Sequence, residues 1–196
     1  MTVGPSRPPT PDSQVSADPI VVVQYDPVWP VWFREVAARF RAVLGGVAVR
    51  IDHIGSTAVP GLAAKPVLDV QISVAAFEPL AAYRDPLEGL GYVYRAENTE
   101  RTKRYFREPP GSRRTHVHVR RWGSWSEQFA LLFRDYLRVH PAAAERYAAL
   151  KLELAQRYRH DRSGYVAAKE PFIWATMREA DAWAQATGWT PGPSDA

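Results

Sequence analysis

The chain has no cysteine among its 196 residues. That absence excludes disulfide bridges, thiolate nucleophiles and cysteine-ligated zinc, and it suits a reducing, cytoplasmic setting. Long apolar runs are missing too: the longest, Phe129 to Phe133, is far short of the roughly 20 residues that a membrane-spanning helix requires. Met1 to Ser16 carries no apolar stretch of the kind a secretory signal uses. Lysine is scarce, four residues against 21 arginines. What remains is 46% apolar and 23% charged, the composition of one globular unit with a sizeable core.

The positive charge is concentrated. Residues 101–121 hold Arg101, Lys103, Arg104, Arg107, Arg113, Arg114, Arg120 and Arg121 against one acid, Glu108, and the rest of the chain is net negative. A local field of that kind attracts phosphate-bearing partners, whether nucleotide or nucleic acid. A solvated arginine-rich hairpin accounts for the same residues without a ligand.

Proline-rich residues 1–19 cannot bury enough apolar surface to offset their ordering entropy and are expected to be a disordered tail. Residues 20–188 form one expected domain and residues 189–196 a flexible tail. A first helix is predicted after Asp26-Pro27, with Trp29, Trp32, Phe33, Val36, Phe40, Val43 and Leu44 at helical spacing before Gly45-Gly46. A strand is expected from Val47 to about His53. In the next, Leu68, Val70, Ile72 and Val74 alternate with Asp69, Gln71 and Ser73, so Asp69 and Gln71 share a face. After a helix interrupted at Pro86 come strands at Tyr92 to Arg95, Lys103 to Arg107 and Arg114 to Arg120. Three helices follow: one capped by Ser124 with Glu127, one from Pro141 to about Arg159, and one from near Ser163 to Thr187, which Pro171 either kinks or marks as the start of its main body. The fold class is α+β, a mixed β-sheet flanked by helices with a C-terminal helical portion.

Chemistry concentrates in His53-Ile-Gly-Ser-Thr-Ala-Val-Pro-Gly-Leu-Ala-Ala-Lys-Pro-Val-Leu-Asp69. The Gly55-Ser56-Thr57 turn after a strand offers N–H groups and hydroxyls to a phosphate. Twelve residues separate Ser56 from Asp69, a spacing that resembles the nucleotidyltransferase superfamily, in which a serine turn contacts the triphosphate and two carboxylates one residue apart hold Mg²⁺. The second carboxylate position is Gln71 here, a neutral amide and a weaker ligand for a hard cation. Asp52 should face away from His53 on its strand, and nothing in the sequence places Glu97. His116 and His118 project from one face of a strand. With His53 and Asp69 they make a candidate site for Zn²⁺, Mn²⁺ or Fe²⁺.

The part of this string from His53 to Pro66, with Asp26-Pro-Val-Trp-Pro-Val-Trp-Phe33, Thr115-His-Val-His-Val119 and Tyr165-Val-Ala-Ala-Lys-Glu-Pro-Phe-Ile173, strongly resembles the GrpB family over roughly Val21 to Trp183. The resemblance implies a nucleotidyltransferase-like fold, in a family of poorly defined activity that also occurs fused to dephospho-CoA kinase in some bacteria. Kinase chemistry does not transfer, since the chain has no Gly-Lys dipeptide and therefore no P-loop. No Gly-x-Ser-x-Gly elbow supports serine hydrolysis.

Together these residues predict binding of a nucleotide or other phosphorylated small molecule. Gly55, Ser56, Thr57, Lys65, Arg104 and Arg114 are the phosphate contacts, and Asp69, His53, His116 and His118 hold a divalent metal, Mg²⁺ or Mn²⁺ with Zn²⁺ as an option. Asp69 is the expected catalytic residue if a nucleotidyl group is transferred. The alternative is a catalytically degenerate binding or chaperone-like module that meets a protein partner, which Gln71 favours. Sequence-independent nucleic-acid binding through the arginine hairpin with Tyr105, Phe106 and Trp122 ranks third. Tyr165 and Lys169 are expected to tie the C-terminal helices to the sheet.

Overall fold

A computed structural model describes residues 18–196. All but two residues of the expected N-terminal tail lie outside that range. From Ile20 the chain is anchored: its N–H donates to the Arg159 carbonyl at 2.7 Å, and Val23 forms a bridge with Ala64.

The sheet contains β1 (Arg50–Ile54), β2 (Leu68–Val74), β3 (Val93–Tyr94), β4 (Arg104–Arg107) and β5 (Thr115–Arg121), in the order β1-β2-β5-β4-β3. β2 and β5 run parallel and every other neighbouring pair is antiparallel. Helices α1 (Trp29–Leu44) and α2 (Ala81–Gly89) cover one face. There Trp29, Phe33, Phe40, Val70, Ile72, Phe106, Val117 and Val119 make the main core. Side chains alternate across a strand, so the apolar parity of β2 and β5 sends Asp69, Gln71, His116 and His118 to the opposite face.

That second face is polar, and α3 (Trp125–Val139) lies over part of it. Ser124 caps α3, accepting from the Glu127 N–H at 3.4 Å. Glu127 does not complete the reciprocal half of the box. Its buried carboxylate accepts from Ser73 Oγ at 2.5 Å and from the Gly123 N–H at 2.7 Å, which fastens the helix start to β2. α4 (Pro141–Arg157) and α5 (Arg162–Thr187) pack on α3 around Leu132, Tyr136, Tyr147, Met177 and Ala180. α5 continues through Pro171, and Asp161 caps its start through the Gly164 N–H at 2.8 Å.

Within the segment 189–196, expected to be a flexible tail, Gly192 to Asp195 lie along the edge of β1. The Ile51 N–H donates to Ser194 Oγ at 2.9 Å and the same hydroxyl donates to the Ile51 carbonyl at 3.0 Å. The His53 N–H donates to Asp195 Oδ2 at 2.9 Å, and buried Arg134 donates to that oxygen at 2.9 Å. Side-chain oxygens thereby take the place of a neighbouring strand. Asp195→Ala should speed hydrogen exchange of the His53 amide by about tenfold and lower stability by about 1 kcal/mol, because Arg134 keeps Asp135 and the His53 carbonyl. Unchanged exchange at His53 would show that the segment does not protect the edge.

Candidate functional site

Asp69 begins the polar face of β2, directly beside His116 of β5 in the sheet register, with His118 one pleat further along. Asp69 Oδ1 is 3.2 Å from His116 Nδ1 and 3.1 Å from His118 Nε2. Burial works against the Asp69 charge, but the hydrogen bonds from the two imidazoles outweigh it and hold the carboxyl well below its ordinary range. His118 is pushed down to about 4, chiefly by burial, although Asp69 pulls the other way. Both rings point at one oxygen, and their far nitrogens, His116 Nε2 and His118 Nδ1, are buried without a partner among the described residues. Tyr105 of β4 packs against both rings, at centroid distances of 5.6 and 5.4 Å.

The ligand-capable atoms of Asp69, His116 and His118 lie within 4.8 Å of one another. Two imidazoles and one carboxylate on a semi-open face suit a borderline cation such as Zn²⁺, Mn²⁺ or Fe²⁺, whereas Mg²⁺ prefers an all-oxygen shell. No second carboxylate joins Asp69 among the described residues. Gln71 is fully buried, accepts from Arg120 at 2.5 Å and donates to the Glu127 carbonyl at 3.5 Å. Its amide serves the junction between sheet and α3. Asp52 pairs with Gln71 in the register and so shares the polar face, but it is held by Arg50 at 2.8 and 3.0 Å. Glu97 is exposed and lies 3.8 Å from Arg95.

His53 does not join the cluster. It opposes Val70 in the register, which turns its ring to the α1 face, where it stacks on Phe33 at 4.8 Å and meets Thr57 Oγ1 at 3.0 Å. Burial pushes it down to about 3, the behaviour of a neutral core imidazole. Arg104 also points away: it opposes Val119 and lies over the Phe77 ring, 4.3 Å from its centre. The basic segment as a whole disperses. Arg113 stacks on Trp32, Arg107 pairs with Glu108, and Arg120 is half-buried and donates to Gln71. Arg114 reaches a smaller adjoining cleft that includes Lys65, His160 and Arg162. Phe106, considered for base stacking, is core.

Beside the cluster opens a cavity of about 280 Å³, bounded by the Gly55-Ser56-Thr57 turn, Lys65, Asp69 and His116 on the sheet side and by α4 and α5 on the other. Gly55 permits the close approach of turn and strand, since a Cβ there would lie 2.6 Å from Asp69 Oδ2. The helices contribute residues that the sequence reading missed or assigned elsewhere: Lys151, Arg162, Tyr165 and Lys169. Tyr147 and Lys151 on α4, and Tyr165 and Lys169 on α5, are two pairs with the same one-turn spacing. Each lysine ammonium lies 4.5 Å from the centre of its own tyrosine ring. Lys65 approaches the Tyr165 ring as well, at 5.1 Å. Burial, then Lys169 and Arg162, lowers Lys65 to about 8. Three of the chain's four lysines thus face one cavity, a compositional signal in a chain that otherwise uses arginine.

No helix among the described residues is long and apolar enough to cross a membrane. A family model described as "GrpB protein" matches residues 19–179. The crystal structure of a conserved GrpB protein from Enterococcus faecalis is similar, with a TM-score of 0.76 and 36% identity, covering 83% of this chain and 99% of that one. A dephospho-CoA kinase of Mycolicibacterium paratuberculosis is 36% identical over 203 residues, 91% of this chain and 50% of the kinase. The chain spans about half the length of the first curated relatives it matches. A cytoplasmic RNA terminal U-transferase shares the fold at a TM-score of 0.50 with 12% identity, over 69% of this chain and 42% of that one. Its likeness identifies a nucleotidyltransferase-like architecture.

Proposed function

This chain belongs to the GrpB family, and on that premise we propose that it binds a phosphorylated small molecule, a nucleotide foremost, in the cavity between the Gly55-Ser56-Thr57 turn and α4–α5, with a divalent transition metal held by Asp69, His116 and His118. The observation that carries this reading is the junction of two sites on one wall. A two-histidine, one-carboxylate cluster opens into a cavity lined by a serine turn, three lysines and an arginine. A bound cation would supply positive charge to a phosphate oxygen at the Asp69 end. The turn presents Ser56 to the phosphates, and Lys65 and Lys169 draw anionic oxygens towards the Tyr165 ring. If a nucleotidyl group is transferred, an acceptor hydroxyl forms a bond to the α-phosphorus and pyrophosphate leaves with the electrons of the broken P–O bond. The acceptor proton passes to solvent or a neighbouring base. Preorganised cations stabilise the charge that builds on the leaving pyrophosphate.

A second reading, a binding module without turnover, is favoured by Gln71. With its amide committed to Arg120 and the Glu127 carbonyl, that position supplies no carboxylate for a two-metal reaction. Calorimetric titration and thermal melting with nucleoside triphosphates, each with Mn²⁺, Zn²⁺, Mg²⁺ or chelator, test the proposal. A ligand at about 100 times its dissociation constant adds about 2.7 kcal/mol, which raises the midpoint of a chain this size by about 5–10 °C. The expected rise is largest with Mn²⁺ or Zn²⁺ and shrinks with chelator. No shift with any nucleotide in any metal would overturn the reading, and release of pyrophosphate separates transfer from binding alone.

A further inference from the structure

We propose that the cavity's α4–α5 end is a subsite for a linear chain of two or more phosphates, with Lys151 as the contact of the terminal phosphoryl group and the specificity-determining residue for chain length. The inference rests on the phosphate-binding reading above and goes beyond it, because it selects among phosphorylated ligands by the number of linked phosphates.

Lys151 sits in the middle of α4 and is only 3% exposed. Its ammonium donates to the Ala63 carbonyl and lies over the Tyr147 ring. The charged groups that face it are Lys65, from the loop after the serine turn, and Lys169 of α5, both cations. Asp69 offsets the charge of Lys65 and of Lys169, but not that of Lys151. Asp69 is the one carboxylate among the cavity's described lining residues, and it is already engaged by two imidazoles. A buried ammonium with a single carbonyl acceptor and two like charges beside it is unfavourable unless an anion arrives or the amine gives up its proton. Burial, followed by Lys169 and Lys65, accordingly pushes Lys151 down to about 7.

Charge balance indicates the ligand. Lys65, Lys151, Lys169 and Arg162 bring four cationic groups to one cavity, and with a divalent cation on the Asp69 cluster the excess increases. A single phosphate carries about −1.5 to −2 near neutrality and leaves most of that excess unmatched. A triphosphate, with one charge on each inner phosphoryl group and up to two on the last, matches it. A linear phosphate chain also matches the layout, in which Lys65 and Lys169 approach the Tyr165 ring and Lys151 lies over the Tyr147 ring on α4. Inorganic oligophosphate and the tail of a nucleoside triphosphate share this chemistry.

The test is calorimetric titration of the full chain with sodium phosphate, pyrophosphate and tripolyphosphate in Mn²⁺, alongside ATP. Tripolyphosphate should bind at least 100-fold more tightly than phosphate, with pyrophosphate between them. Lys151→Met should lose about 30-fold of the tripolyphosphate affinity and less than threefold of the phosphate affinity, consistent with the loss of one charge-assisted hydrogen bond. Between pH 7.5 and 8.5, buffers of different ionisation enthalpy should reveal proton uptake on tripolyphosphate binding, and Lys151→Met should remove the share that Lys151 carries while leaving that of Lys65. Methionine removes an unpaired buried charge, so the unliganded variant should melt no lower than the wild type, and Lys169→Met repeats the affinity test from α5. ATP binding tighter than tripolyphosphate identifies a nucleotide as the source of the chain, and equal binding identifies the phosphate chain alone. Equal affinity for phosphate and tripolyphosphate, or unchanged tripolyphosphate binding in Lys151→Met, overturns the subsite and leaves the phosphate-binding reading intact. Failure of all four probes to bind overturns both.

Discussion

Asp69→Ala is expected to remove metal binding, weakening the apparent dissociation constant for Mn²⁺ or Zn²⁺ by at least about 100-fold and erasing any metal-dependent rise in melting temperature. Loss of an outer-shell partner alone typically costs 10–100-fold, and Asp69 is the sole carboxylate of the three-ligand set. The variant also has a cost without metal. His116 Nδ1 and His118 Nε2 lose their common acceptor, while the far nitrogen of each ring is already unpartnered among the described residues. Leaving polar groups of this kind unpaired typically costs about 1–3 kcal/mol, so the unliganded variant should melt about 2–12 °C below the wild type. Asp69→Asn separates the two effects. It keeps an oxygen that accepts from an imidazole, so stability should largely recover, but it removes the charge on which metal affinity depends. A metal-dependent melting shift that persists in Asp69→Ala would overturn the assignment of the cluster.

The parts of this site that sequence made legible were those governed by local periodicity. Alternation along β2 and β5 put Asp69 with Gln71 and His116 with His118, because apolar parity determines which side chains share a face. Alternation does not say which faces of two different strands coincide. That depends on the antiparallel register of β1 against β2, which sets Asp52 beside Gln71 and His53 beside Val70 and sends His53 into the core. Charge density along the chain was likewise a poor guide to charge density in space. The arginines of residues 101–121 lie on a hairpin whose two faces separate Arg104 from Arg120, and its turn carries Arg113 to Trp32. The cations that converge on the cavity come instead from three separate places in the chain. Lys151 lay in an alanine-rich helix whose packing against Lys65 no local pattern reports. The repeated tyrosine–lysine spacing of α4 and α5 was the one local sign.

Gly55→Ala tests whether the serine turn and the metal cluster are one mechanical unit, and it should be among the most damaging single-methyl additions in the chain. Two constraints act together at this position. The backbone has φ 71° and ψ −170°, a region open essentially to glycine, and forcing an L-residue into it costs of order 1–3 kcal/mol. The added methyl would also lie 2.6 Å from Asp69 Oδ2 and 3.0 Å from Asp69 Cβ, and the Cβ belongs to a paired strand that moves only with the sheet. Either the turn lifts away from β2 or the Asp69 carboxylate rotates off the two histidines. In both cases the cluster and the cavity separate. A loss of about 2–4 kcal/mol follows, a drop of roughly 4–16 °C in melting temperature, together with weakened Mn²⁺ or Zn²⁺ binding. Gly61 supplies the control: its φ is 78°, but no atom lies within 4 Å of the position its Cβ would take. Gly61→Ala should therefore show the backbone cost, about 1 kcal/mol, with metal binding unchanged. Equal losses in the two variants would mean that the contact with Asp69 contributes nothing. Retained metal binding in Gly55→Ala would mean that the turn and the cluster move independently, and the phosphate-binding turn would then have to be sought elsewhere on the cavity wall.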